Sequence, residues 1–289
     1  MSIFRRRPIP AKTPDQILAM RKAGLVVART LESSVRFATA GVTTADIDRQ
    51  AEDSIRSTGA TPSFQGYHGF PASLCISVNE EVVHGIPGSR VLAEGDLVSI
   101  DCGAIVDGWH GDAAVTLIVG GPHGAAPRPA DVAVMNDTQQ AMWAGIGALQ
   151  PGRRLYAVGE AIQASIEHAQ RQRERDGLTV RYGIVEDYVG HGIGTSMHMA
   201  PHVPNYAVQG KGPMVCDGAT LAIEPMVTLG TIETKTLADD WTVITTDGSR
   251  AAHWEHTVAV TTRGLWVLTA SDGGEQALAA AGATYGPLV

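Results

Sequence analysis

The sequence predicts an α+β protein of two related halves, with helices packed on one face of a curved antiparallel sheet. Three observations carry that prediction. Gly95 to Val119 reads as two strands rich in Val, Ile and Leu, joined at Asp107-Gly108, a dipeptide that tolerates the positive φ of a tight hairpin turn. Short stretches of the first half then return, in the same order, in the second. Glu94-Gly95-Asp96-Leu97-Val98-Ser99-Ile100-Asp101 is echoed by Asp217-Gly218-Ala219-Thr220-Leu221-Ala222-Ile223-Glu224, His110-Gly111-Asp112 by His253-Trp254-Glu255, and His84-Gly85-Ile86 by His191-Gly192-Ile193. Finally, the apolar helix positions Ile47, Ala51 and Ile55 return as Val158, Ile162 and Ile166, at a constant offset of 111 residues. Internal similarity of this kind marks a duplicated unit.

The bulk properties agree with a folded, soluble chain. It has 289 residues, 44% hydrophobic and 18% charged, enough for a large core. The net charge of −8 argues against a general nucleic-acid binder. Cys75, Cys102 and Cys216 form no paired spacing, which predicts reduced thiols and a cytoplasmic protein. The basic start MSIFRRRPIP is followed by no apolar stretch, and no run approaches a membrane span.

Residues 1–12 read as a short N-terminal arm, and a transient ribosome contact is one use for Arg5, Arg6 and Arg7. Residues 13–289 read as one domain, with halves at about 13–119 and 130–268. The first helix starts at Thr13-Pro14-Asp15-Gln16, where Thr13 caps, Pro14 suits the first helical position and Gln16 completes a capping box. Ile17, Met20, Gly24, Val27 and Leu31 give it an inward face, and it ends before Gly41. A second helix runs from about Thr44 to Ser57 and stops at Gly59. After a Gly-, Pro- and Ala-rich linker from Gly120 to Pro129, helical sequence resumes from about Asp131 to Leu149, and a further helix carries Val158, Ile162 and Ile166.

With Asp107-Gly108 as the turn, Val106 faces Trp109 and Asp101 faces Ala114. Asp112 is then a diagonal neighbour of Asp101 on the same face, about 7 to 8 Å away. For one hairpin, two solvated aspartates would be the plainer reading; the recurrence of the pattern favours a metal site instead. Halves related by a pseudo-two-fold bring Asp101, Asp112, His191, Glu224 and Glu255 together. Four ionised carboxylates are balanced by two divalent ions, and an oxygen-rich, thiolate-free set suits Mn²⁺, Fe²⁺, Co²⁺ or a catalytic Zn²⁺ pair. Paired ions of this kind support amide hydrolysis. His198, seven residues after His191 in a glycine-rich loop, and His84, by its echo of His191, are expected at the same cleft, where neutral imidazoles can hydrogen-bond a scissile carbonyl or a leaving nitrogen. Either histidine alone reads more readily as a structural residue than as a catalytic one.

The runs YHGFPASLCISVNEEVVHGIPG, SIDCGAIVDGWHGDAA, GHGIGTSMH, LAIEPM and WEHTVAVT, in this order, resemble type I methionine aminopeptidases of the pita-bread fold. The resemblance spans about Thr13 to Leu268. It implies that Asp101, Asp112, His191, Glu224 and Glu255 hold two divalent metal ions (Co, Mn, Fe or Zn), with Asp112 and Glu255 bridging. It also implies that His84 and His198 contact substrate, that Glu224 helps move protons, and that Tyr67, Phe70, Cys75 and Trp241 form the pocket for a methionine side chain. The implied substrates are N-termini of nascent polypeptides with a small second residue, processed by a cytoplasmic monomer with no nucleic-acid or membrane partner. The chain departs from the family's usual pattern at several points. Phe70 stands where Tyr is common, Met199 and Ala200 follow His198 where an acidic pair is frequent, His253 replaces a common Gln, and the Asn205–Thr220 segment is longer than in compact relatives. An X-Pro or creatinase-like hydrolase, and a non-catalytic peptide binder, are the alternatives on the same fold.

Overall fold

A computed structural model of the chain describes residues 9–121, 124 and 126–288; the arginines of the arm, Arg5 to Arg7, and linker residues Pro122, His123 and Ala125 lie outside the described residues. The first half begins as its capping signals dictate. Thr13 accepts a bond from the Gln16 amide, the Gln16 side chain accepts one from the Thr13 amide at 2.9 Å, and α1 follows over Pro14–Phe37 with Ile17, Met20, Gly24, Val27 and Leu31 buried. Thr43 and Asp46 form a second capping box before α2 (Thr44–Ser57), which turns Ile47, Ala51 and Ile55 inward with no exposure. Strands β1 (Thr61–Pro62), β2 (Leu74–Val78), β3 (Glu81–Val83), β4 (Leu97–Val106) and β5 (Trp109–Ile118) complete this half, with a 3₁₀ turn at Tyr67–Gly69.

The expected hairpin is present in the expected register. Asp107 and Gly108 both have positive φ, 50° and 79°, as a primed two-residue turn requires. Val106 faces Trp109, Gly103 faces Asp112 and Asp101 faces Ala114.

The second half opens with α3 (Pro129–Ala148), two residues ahead of the expected start because Pro129 takes the first helical turn, and α4 (Ala157–Arg175), whose Val158, Ile162 and Ile166 are buried. Its strands are β6 (Gly183–Ile184), β7 (Gly190–Gly192), β8 (Met199–Val203), β9 (Thr220–Ile223), β10 (Met226–Thr228), β11 (Thr234–Thr236), β12 (Val243–Thr245), β13 (Ala251–His253), β14 (His256–Thr261) and β15 (Gly264–Val267), with a short α5 (Glu275–Ala280) after them. Every named strand pair is antiparallel. The Asn205–Thr220 segment packs on the α3–α4 connection, where Gly152 and Leu155 donate to the carbonyls of Val215 and Pro213.

Two apolar clusters back the two halves. One gathers Val27, Leu31, Ile47, Ile55, Leu74 and Ile100; the other gathers Met142, Ile146, Val158, Ile162, Leu221 and Val258. Each such side chain contributes about 1.5–3 kcal/mol relative to exposure. The halves are stitched by backbone. β12 pairs with β3, and Ala114 and Glu255 exchange both main-chain bonds, at 3.2 and 2.9 Å. Helix α1 lies directly on β5: a Cβ on Gly111 would stand 2.7 Å from the Gly24 nitrogen, so only glycine permits the approach.

Candidate active site

The hairpin carries two carboxylates to one place. Asp101 on β4 and Asp112 on β5 share a sheet face, and their carboxyl groups meet there. Asp112 is anchored to the other half as well, because its amide donates to Thr257 Oγ1 at 3.1 Å and its carbonyl accepts from that hydroxyl at 2.8 Å.

The second half supplies the remaining groups from one strand and two strand ends. His191 lies on β7, Glu224 follows the last residue of β9, and Glu255 stands between β13 and β14. Asp112, His191 and Glu255 present ligand atoms that all lie within 4.8 Å of one another. His191 Nε2 is 3.3 Å from Glu224 Oε1. Because a carbonyl can only accept, the 3.0 Å contact of His191 Nδ1 with the Gly192 carbonyl puts the ring proton on Nδ1 and leaves Nε2 a bare lone pair facing the carboxylates. Asn205, fully buried, donates from Nδ2 to the Glu224 carbonyl at 3.1 Å and to the Tyr188 carbonyl at 3.3 Å.

These groups form the floor of a cleft of about 560 Å³, and all eleven residues singled out from the sequence line it. Phe70 and Trp241 meet edge to face with ring centroids 5.1 Å apart, and Cys75 lies beside them as a buried free thiol. His84 holds a left-handed backbone (φ 59°) at the end of β3, an unusual conformation that aims its ring at Tyr188 and Trp241. The ring of His198 stands at the mouth, 4.3 Å from that of His191, and its Nδ1 is 2.9 Å from the Tyr67 hydroxyl. The segment between His191 and His198 differs from a plain loop: short strands β7 and β8 bracket it, so its ends are hydrogen-bonded. Sequence reasoning missed Phe64, Tyr188, Met197 and Met226 in the wall, and Asn205 behind it. Isolated apolar and amide residues carry no spacing signal that would have found them.

The electrostatics point to a cation. Burial, with the charges of the other carboxylates, pushes the carboxyls of Asp112, Glu224 and Glu255 well above their usual range, and burial holds Asp101 at about 7. Burial takes His191 and His84 down to about 4 and His253 to about 3, so these rings are neutral. Asp101 Oδ1, Asp112 Oδ1, Glu224 Oε1 and Glu255 Oε1 are buried with no hydrogen-bond partner. Four buried carboxyls with unpartnered oxygens, beside a bare imidazole nitrogen, can be ionised together only if a cation lies between them. The donor set therefore fits divalent metal.

The model of metallopeptidase family M24 matches residues 18–262. The chain belongs to that family. M24 membership makes it a metallopeptidase, with divalent-metal use implied. It is 51% identical to methionine aminopeptidase 1 of Mycobacterium tuberculosis over 265 residues, covering 91% of this chain and 96% of that one. A crystal structure of methionine aminopeptidase from Thermotoga maritima superposes with a TM-score of 0.83 at 38% identity, over 91% of this chain and 100% of that one. Prolidase from Pyrococcus horikoshii shares the fold alone, with a TM-score of 0.68 at 19% identity, over 90% of this chain and 63% of that one. The expected α+β pita-bread architecture is borne out, and the M24 relatives place the chain among metalloaminopeptidases.

Proposed function

We propose that this chain is a methionyl aminopeptidase that removes the initiator methionine from nascent proteins with a small second residue, using two divalent ions held by Asp101, Asp112, His191, Glu224 and Glu255. The observation that carries the reading is the meeting of carboxylates from both halves, with unpartnered oxygens, at the floor of an apolar-walled cleft. In this reading Asp112 and Glu255, brought together across the halves by the Ala114–Glu255 main-chain pair, would hold metal together with Asp101, His191 and Glu224. Bound ions supply a water of lowered pKa and polarisation of the scissile carbonyl.

The chain's own groups do the rest. Phe70, Cys75, Trp241 and the ring of Tyr67 take the unbranched thioether side chain, which soft apolar contacts suit. His198 donates to the carbonyl oxygen as negative charge develops on it, and neutral His84 accepts from the N–H of the scissile bond. Glu224 accepts and passes on the proton that must reach the leaving amine. No described helix is long and apolar enough to cross a membrane. Action as a cytoplasmic monomer near the ribosome exit, with the arginine arm touching RNA, completes the proposal.

Purified protein loaded with Mn²⁺, Co²⁺ or Zn²⁺ should cleave Met-Ala and Met-Gly peptides, and chelation should abolish cleavage with the circular dichroism of the fold largely retained. Faster turnover of Ala-Pro or Leu-Pro peptides than of Met-Ala would replace this reading with the X-Pro one.

A further inference from the structure

His253 is 2% exposed, its Nε2 has no hydrogen-bond partner, and that nitrogen lies 4.0 Å from Glu224 Oε2. Its echo in the first half, His110, behaves differently: His110 Nδ1 meets Ser63 Oγ at 3.0 Å and is satisfied there. The position of His253 is tightly set. Its amide donates to Ser99 Oγ at 3.2 Å and Thr116 Oγ1 at 3.0 Å, and its carbonyl accepts from Thr116 Oγ1 at 2.7 Å. It also faces Met226 in the β10–β13 ladder, two residues after Glu224, while the Trp254 amide reaches the Pro225 carbonyl at 3.4 Å. The ring and the Glu224 carboxylate are therefore held by adjoining, mutually paired segments.

We infer that His253 is a positioning residue for Glu224, its Nε2–H bonding Glu224 Oε2 so that Oε1 stays turned toward His191 and the metal site. A buried ring nitrogen left without a partner is costly, and a shift of roughly 1 Å brings this pair to bonding distance. His253 does not line the cleft, whereas Asp101, Asp112, His191, Glu224 and Glu255 all do, so it stands behind Glu224 rather than among the ligands. With Asn205 fixing the Glu224 carbonyl and His253 fixing its side chain, Glu224 is held from both ends. Metal-binding carboxylates need such outer partners, and their loss typically weakens metal binding about 10- to 100-fold.

The inference rests on the metal-site reading, and the experiment separates the two. Zinc affinity is measured by calorimetry for the parent protein, His253→Leu and His253→Gln, with melting temperatures of the metal-free proteins. His253→Leu should bind zinc about 10- to 100-fold more weakly, while His253→Gln, whose amide is also a donor, should bind nearly as the parent does. Equal affinity of parent and Leu variant overturns the positioning role, as does a Gln variant as weak as the Leu variant. A parent that binds no zinc overturns the metal-site reading itself. ¹⁵N-histidine spectra of the zinc-loaded parent give a check that needs no folded Leu variant: His253, assigned by its loss in His253→Gln, should carry its proton on Nε2, and a bare Nε2 refutes the inference.

Discussion

The two halves deliver the same kinds of group by different means. Asp101 and Asp112 sit on the adjoining strands of one hairpin, and the Asp107-Gly108 turn fixes their register. Glu224 and Glu255 sit at the ends of strands separated by an excursion through β11 and β12, which leaves its own half to pair with β3 of the other. The first pair is thus positioned by a two-residue turn, and the second by the pairing of β9 with β14 and of β10 with β13 across that long excursion. The helices repeat the contrast. In the first half α1 lies on β5 backbone against backbone at Gly24 and Gly111, whereas in the second Gly145 of α3 faces the side chain of Ile162 on α4.

The comparison can be broken at the seam where the halves meet. Asp112→Ala removes a residue proposed as a metal ligand and held to Thr257 on the other half; it should take both turnover and bound metal to the detection limit, read by peptide assay and elemental analysis. Retained metal would show that Asp101 and the second half hold ions without Asp112. The next largest effect belongs to His198→Ala, which removes a donor to the developing oxyanion. Such donors are worth about 2.7–4 kcal/mol, so turnover should fall roughly a hundred- to thousand-fold while metal content and melting temperature stay near the parent's. A purely structural histidine would instead lower the melting temperature, with activity following the unfolded fraction.

Two glycine substitutions sharpen the contrast between helix faces. Gly24→Ala forces a methyl against the Leu268 carbonyl, a backbone group that cannot yield, and should cost about 1–3 kcal/mol in denaturant unfolding. Gly145→Ala meets the Cγ1 and Cδ1 atoms of Ile162, a side chain rather than backbone, and gains about 0.5–1 kcal/mol of helix preference, so its net loss should be smaller than that of Gly24→Ala. Equal losses for the two variants would show that both helices are seated equally rigidly.

The sequence by itself determined every element whose cause is local. The Thr13 capping box set the start of α1, Asp107-Gly108 set the hairpin, and period-two alternation then put Asp101 and Asp112 on one face. The echoes of these patterns, together with the family resemblance, named His191, Glu224 and Glu255 before any contact was visible, because duplicated segments carry equivalent residues to equivalent places. Only tertiary structure decided which neighbours surround them. Asn205 reaches the Glu224 carbonyl, His253 turns inward while His110 turns to Ser63, and Phe64, Tyr188 and Met197 close the cleft wall. These contacts join residues far apart in the chain, within one half for Asn205, His253 and His110 and across the two for Phe64 beside Tyr188 and Met197, and no spacing or periodicity along one strand or helix encodes how such surfaces will meet.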